Sequence, residues 1–143
     1  MTDQAKPPIW FWIIGVFALL WNIMGLGAYF QQFTMSAETF AALRPEQQYL
    51  LVSQPFWLTT AFAIAVFAGF IGSILLLARK RLAVRMLLLS MGAVFVQFGS
   101  LFLAFGYADI LIGGEWIMPI MIPTCAVGLY FYARKKEQDG ILT

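Results

Sequence analysis

Phe56–Ala78 reads FWLTTAFAIAVFAGFIGSILLLA, 23 residues without a charge, and Arg79-Lys80-Arg81 follow at once. At ~1.5 Å rise per residue, about 20 apolar residues cross the ~30 Å of hydrocarbon in a bilayer. The stretch therefore predicts a membrane helix stopped by a basic cluster. Three more runs are free of charge: Ile9–Phe30 (22 residues), Met86–Tyr107 (22) and Trp116–Ala133 (18). Spans near 9–30, 56–78, 86–107 and 116–133 make up most of the 143 residues. The expected fold is an all-α membrane protein, a four-transmembrane-helix antiparallel bundle forming one domain over 1–143.

Composition narrows the function classes. The chain is 62% hydrophobic and 11% charged, against roughly 45–50% and ~25% in soluble domains. That deficit of charge excludes a soluble globular domain, a disordered segment and a nucleic-acid binder. With no histidine and one cysteine, an intrachain disulfide, His/Cys metal sites, His-ligated haem and His-dependent triads are excluded. No cofactor and no metal are expected. Lys6 before the first span raises the alternative of a cleaved signal peptide. The apolar run exceeds the ~7–15 residues of such a segment and no A-x-A site follows at Gly27–Phe30, so a retained anchor is expected.

Orientation follows from the basic residues. Lys6, then Arg79, Lys80, Arg81 and Arg85, then Arg134, Lys135 and Lys136 fall on one side of a four-span weave. Arg44 alone lies on the other side, beside Glu38, Glu46, Asp109 and Glu115. The positive-inside rule puts both termini and the middle loop in the cytoplasm. Trp10, Trp12, Tyr130 and Tyr132 then sit near the inner interface, and Tyr29, Trp57, Tyr107 and Trp116 near the outer one, as amphipathic aromatics do. The inner cluster Arg79, Lys80, Arg81 and Arg85 sets topology and is placed to meet anionic headgroups. The acidic residues Asp109 and Glu115 read as a solvated loop, and Glu137–Thr143 as a solvated, frayed tail.

The outer loop Gln31–Pro55 is too long for a turn. Ser36 suits the N-cap of a short helix 37–43, with Glu38 in its first turn. Pro45 suits the start of a second, 46–53. A short helical hairpin at the outer membrane surface is expected, with a lid or docking surface as the functional alternative. In the fourth span, Pro123 lacks the N–H that would bond the carbonyl of Pro119. A kink or loosened turn is expected at Pro119 and Pro123, which either lines a site or is simply tolerated.

Lipid tails are as apolar as leucine, so membrane helices associate through small and occasional polar residues. Such residues recur at spacings of three and four. Span one has Gly15, Ala18, Asn22, Gly25 and Tyr29. Span two has Ala61, Ala65, Ala68 and Gly72, with a second ridge of Ala61, Ala65, Gly69 and Ser73. Span three has Ser90, Ala93, Gln97, Ser100 and Ala104, and span four Thr124 and Gly128. A further line, Gly92, Gly99 and Gly106, is one heptad apart. It packs within the bundle or meets another membrane protein or a second copy. Asn22 and Gln97 are the polar residues deepest in the spans. They glue helices together or, with Trp21, line a polar cavity for a solute.

Chemistry is sparse. Proton- or ion-coupled transport usually marks itself with an intramembrane charge, and no span carries one. Cys125 has no partner for thiol exchange, and G-x-x-x-x-G-K-[ST] is absent. An enzyme is not expected. The pattern Trp10-Phe11-Trp12, Leu20-Trp21-Asn22 through Gly25, Met35-Ser36-Ala37-Glu38 and the uncharged span before Arg79-Lys80-Arg81 resembles a group of small four-helix bacterial inner-membrane proteins. Members are loosely labelled sugar transporters or carry no assigned function. The resemblance implies a multi-pass protein of the bacterial inner membrane. The leading expected function is an accessory or structural subunit packing against a larger membrane complex or itself, the second a small-solute carrier, sugars included, acting as an oligomer, and the third lipid binding through Arg79, Lys80 and Arg81.

Overall fold

The computed structural model describes residues 4–143, and every regular element among them is helical. In chain order these are α1 (Ile9–Thr34), α2 (Ala37–Ala41), α3 (Pro45–Ser53), α4 (Phe56–Leu77), α5 (Leu82–Ala104), α6 (Tyr107–Ile110), a 3₁₀ turn (Gly113–Trp116) and α7 (Ile117–Gln138). Helices α1, α4, α5 and α7 are long and apolar enough to cross a membrane. The protein is an integral, multi-pass membrane protein with an all-α four-helix bundle.

The helices pack as a chain of neighbours: α1 along α4, α4 along α5, and α5 along α7. Helices α1 and α7, at the two edges, do not pack along each other. The bundle is thus open along one seam. One end carries the N-terminal segment, the α4–α5 turn and the tail after α7, and is called here the basic end. The other carries α2, α3, α6 and the 3₁₀ turn, and is called the hairpin end.

Helix starts follow local chemistry. Pro8 and Pro55 hold extended backbone just before α1 and α4, where a residue without an N–H ends the preceding chain direction. The Ser36 hydroxyl accepts from Thr39 N–H (3.1 Å) and caps α2. Pro45 begins α3, and the Gln47 side chain accepts from the Arg44 N–H (3.2 Å). Against the sequence reading of 37–43 and 46–53, α2 ends two residues sooner and α3 starts one residue earlier.

Larger departures fall at the helix ends. Helix α5 starts at Leu82, so Arg85 lies in its first turn, and it stops at Ala104. Gly106 is outside it, in the left-handed region at φ 61°, capping α6. The heptad line therefore ends at Gly99. Helix α7 is continuous through Pro123 to Gln138, so the chain stays helical across Pro119 and Pro123. Pro119 lies in the first turn, where its missing N–H has no helical acceptor. Pro123 removes one backbone bond, and the turns on both sides carry the helix across.

The tail is folded back rather than frayed. Gly140, at φ 75°, lets Ile141 N–H donate to Lys136 O (3.0 Å) and Gly140 N–H to Glu137 O (3.1 Å), a glycine-capped helix end. Thr143 N–H then donates to Arg79 O (2.8 Å), and Arg81 N–H to Thr143 O (3.1 Å). Ile141 and Leu142 are buried with Phe11, Leu76, Ala83, Leu129 and Ala133. This plug joins both edge helices at the basic end. Arg79 takes the left-handed conformation (φ 58°) at the end of α4. Its side chain donates to Ile141 O (3.0 Å) and Ala5 O (2.9 Å). Arg81 reaches Leu142 O (3.5 Å). These two arginines are engaged with the chain itself, and Lys80 and Arg85 are left exposed.

Candidate functional site

The small-residue ridges of α4 are used inside the bundle. Ala61, Ala65, Gly69 and Ser73 are all buried, as are Ala68 and Gly72. At Gly72 an added Cβ would come within 2.9 Å of the Leu87 side chain and 3.3 Å of its backbone nitrogen. At Gly69 it would collide with Asn22 Oδ1 and reach Ser90 Oγ at 3.0 Å. Glycine is required there because α1 and α5 both press their polar side chains onto the α4 backbone.

A hydrogen-bonded knot surrounds that point. Asn22 Nδ2 donates to Ala18 O (2.8 Å) and to Ser73 Oγ (3.0 Å). Ser73 in turn donates to Gly69 O (2.8 Å), and Ser90 Oγ donates across to Ala65 O (2.6 Å). Such bonds average about 0.6 kcal/mol each in membrane proteins. Asn22 thus bonds Ser73, and not Gln97.

Beside the knot lies a cavity of about 350 Å³ between α1 and α7. Its walls include Trp21, Asn22 and Gln97, the three residues of the expected polar site, together with Ser90. The rest of the lining is apolar, and no charged side chain takes part. Leu87 and Leu129 line the side toward the plug at the basic end. Met24 and Met118, on opposite edges, are each about half exposed (49% and 48%). Gln97 makes no hydrogen bond with any described residue.

No protein family matches the chain, and neither the curated proteins nor the solved structures yield a match. The local geometry must carry the functional argument.

The other candidate residues are dispersed. Gly92 and Gly99 point away from the bundle, and a Cβ at either would meet nothing within 4 Å. They share the outer face of α5 with exposed Leu88, Phe95, Val96 and Leu103. Pro119 is buried and Pro123 half-buried, in a continuous helix. Among the described residues no group of His, Cys, Asp and Glu is arranged to hold a metal.

Sequence reading missed a latch at the hairpin end. Arg44 pairs with Glu115 (2.6 Å) and also donates to Ile110 O (2.9 Å). Glu115 accepts further from Ile112 N–H (3.0 Å) and from Gln47 (3.4 Å). Glu115 is therefore an anchoring carboxylate rather than a solvated loop residue. The available signal was that Arg44 is the sole cation among the acids of its side.

Proposed function

We propose that the protein is a non-catalytic accessory subunit of a bacterial inner membrane that packs against a larger membrane complex or a second copy. The observation that carries this reading is the outward face of α5. Glycine inside a helix is about 1 kcal/mol less favourable than alanine, and facing lipid it brings no compensating contact. Gly92 and Gly99, a heptad apart with Phe95 and Val96 between them, form a groove of the kind that lets a second helix approach closely. The interior ridges on α4 are already filled by α1 and α5, which leaves this face for a partner. A non-catalytic role fits a cavity that offers amides and one hydroxyl but no acid, base or thiol. By the positive-inside rule the basic end, with both termini, faces the cytoplasm.

Gentle extraction from the native membrane, sizing and mass spectrometry test this reading. Stoichiometric larger subunits or a homo-oligomer are expected, and Gly92→Leu with Gly99→Leu should release the chain as a folded monomer. A wild-type monomer would overturn it.

A second reading, carriage of a small solute, is favoured by one observation: Trp21, Asn22 and Gln97 share a cavity. A sugar needs several convergent hydrogen-bonding groups. Here Ser90 and the Asn22 amide nitrogen already bond the protein. Uptake of radiolabelled glucose that Gln97→Leu abolishes would support this reading over the first.

A further inference from the structure

The cavity between α1 and α7 combines three properties that define a guest. The first is size. At about 350 Å³ it falls at the lower end of small-molecule sites, about 300–1,000 Å³. The second is charge. No charged side chain lines the walls, and a buried ion without a counter-charge is strongly disfavoured. The third is unspent hydrogen-bonding capacity. The Asn22 amide nitrogen and the Ser90 hydroxyl donate to the protein, whereas the whole Gln97 amide, like the Trp21 indole N–H, has no hydrogen-bond partner among the described residues. In a membrane, a polar group without a partner is costly.

We propose that this cavity binds an uncharged lipophile of the bilayer bearing a carbonyl or hydroxyl group, which hydrogen-bonds the Gln97 side chain. The apolar body of the guest lies against Trp21, Phe62 and Ile122. It enters along the seam where α1 and α7 do not pack. Met24 and Met118 flank that entry, and their flexible thioethers adapt to varied apolar shapes. The site is separate from the α5 face argued above, and neither depends on the other.

The test uses the full chain in phosphatidylcholine nanodiscs with two photoreactive probes, a diazirine-bearing 1-dodecanol and a diazirine-bearing dodecane. Saturable labelling by the alcohol is expected on peptides carrying Met24 and Met118, competed by unlabelled 1-dodecanol and not by glucose. Gln97→Leu should raise the alcohol's half-saturation by about three- to tenfold, the effect of one hydrogen bond, and leave dodecane unchanged. Because Gln97 bonds no described residue, this variant should keep its helicity and elution volume. Ala126→Phe, which fills the cavity from α7, should remove saturable labelling by both probes. If that variant fails to fold, Ala28→Phe fills it from α1. Non-saturable labelling, equal affinity for alcohol and alkane, indifference to Gln97→Leu, or competition by glucose would each overturn the proposal.

Discussion

Helix α4 and helix α7 are each long and apolar enough to cross the membrane, and the fold treats them in opposite ways. Nine residues of α4 are buried, against three of α7. Helix α4 meets a neighbour on each side, and glycines at 69 and 72 let both come close. Among the long helices α7 packs lengthwise against α5, and its other flank borders a cavity. The contrast shows where rigidity and vacancy are placed. Small residues close the α1–α4–α5 side into a hydrogen-bonded knot. On the α1–α7 side larger residues stand apart, held at one end by the plug of Phe11, Leu129 and Leu142.

The strongest way to break that contrast is to insert the same side chain on both kinds of surface. Gly69→Leu drives four carbons into Asn22, Ser90 and the helix crossing. It should cost about 3 kcal/mol or more, the upper part of the range for overpacking. Gly92→Leu adds the same volume to open space and should leave monomer stability unchanged or slightly higher, since glycine is a poor helix former. Helicity followed against SDS mole fraction in mixed micelles measures both. Equal effects would mean that α4 is not tightly packed.

The two deep amides provide the next test. Asn22→Leu removes the donor to Ala18 O and Ser73 Oγ and should destabilise the fold by about 1 kcal/mol. Gln97→Leu deletes an amide without a protein partner and should change stability by less than ~0.5 kcal/mol in either direction. The same unfolding titration reads both variants. A larger loss for Gln97→Leu would place a structural bond where none is seen.

Much of this was legible from residue patterns, and the physics says why the remainder was not. Charge-free runs near 20 residues announce four spans, since only helices of that length satisfy the backbone in hydrocarbon. Ser36 and Pro45 announce their helix starts by capping chemistry that acts within three residues. The ridge of Ala61, Ala65, Gly69 and Ser73 is visible as a spacing. Whether a ridge faces in or out is not, because lipid and protein interior are equally apolar. Gly92 and Gly99 look like interior residues for that reason. The depth of Asn22 and Gln97 in their spans is readable, and with Trp21 they border one cavity. The Arg44–Glu115 pair bridges 71 positions, beyond the reach of local pattern. Ile141 and Leu142 are two apolar residues in a polar tail, and only the arrangement of Phe11, Leu76 and Ala133 gives them a place to be buried.

The latch and the tail allow weaker tests of the two ends. Arg44→Ala should loosen the tie between α3 and the 3₁₀ turn. The pair is about one-third exposed, so the cost should be about 1 kcal/mol or less. The visible effect should be local, faster amide exchange in residues 44–53 and 110–116 with the spans unaffected. Exchange spreading into α7 would show that the latch also supports the open seam.

The smallest effect concerns Asp139, which caps the end of α7. Hydrogen bonding from Lys135, helped by Lys136, outweighs desolvation and holds its carboxyl below the usual carboxylate range. A carboxyl lowered in the folded state adds stability that is complete above its ordinary pKa. That contribution fades as pH falls through the ordinary range and is gone below the lowered value. Acidification from pH 6 toward 3 should therefore loosen the fold-back of Ile141–Thr143, while neutral and mildly basic solution should leave it intact. Amide exchange at Ile141 and Thr143, corrected for the intrinsic pH dependence, reports the opening. Asp139→Asn should remove the acid response at those two amides without altering exchange in α4. If the variant and the parent respond alike, the fold-back is held by the buried Leu142 and the Arg79 carbonyl alone, and Asp139 is only a surface partner of its lysines.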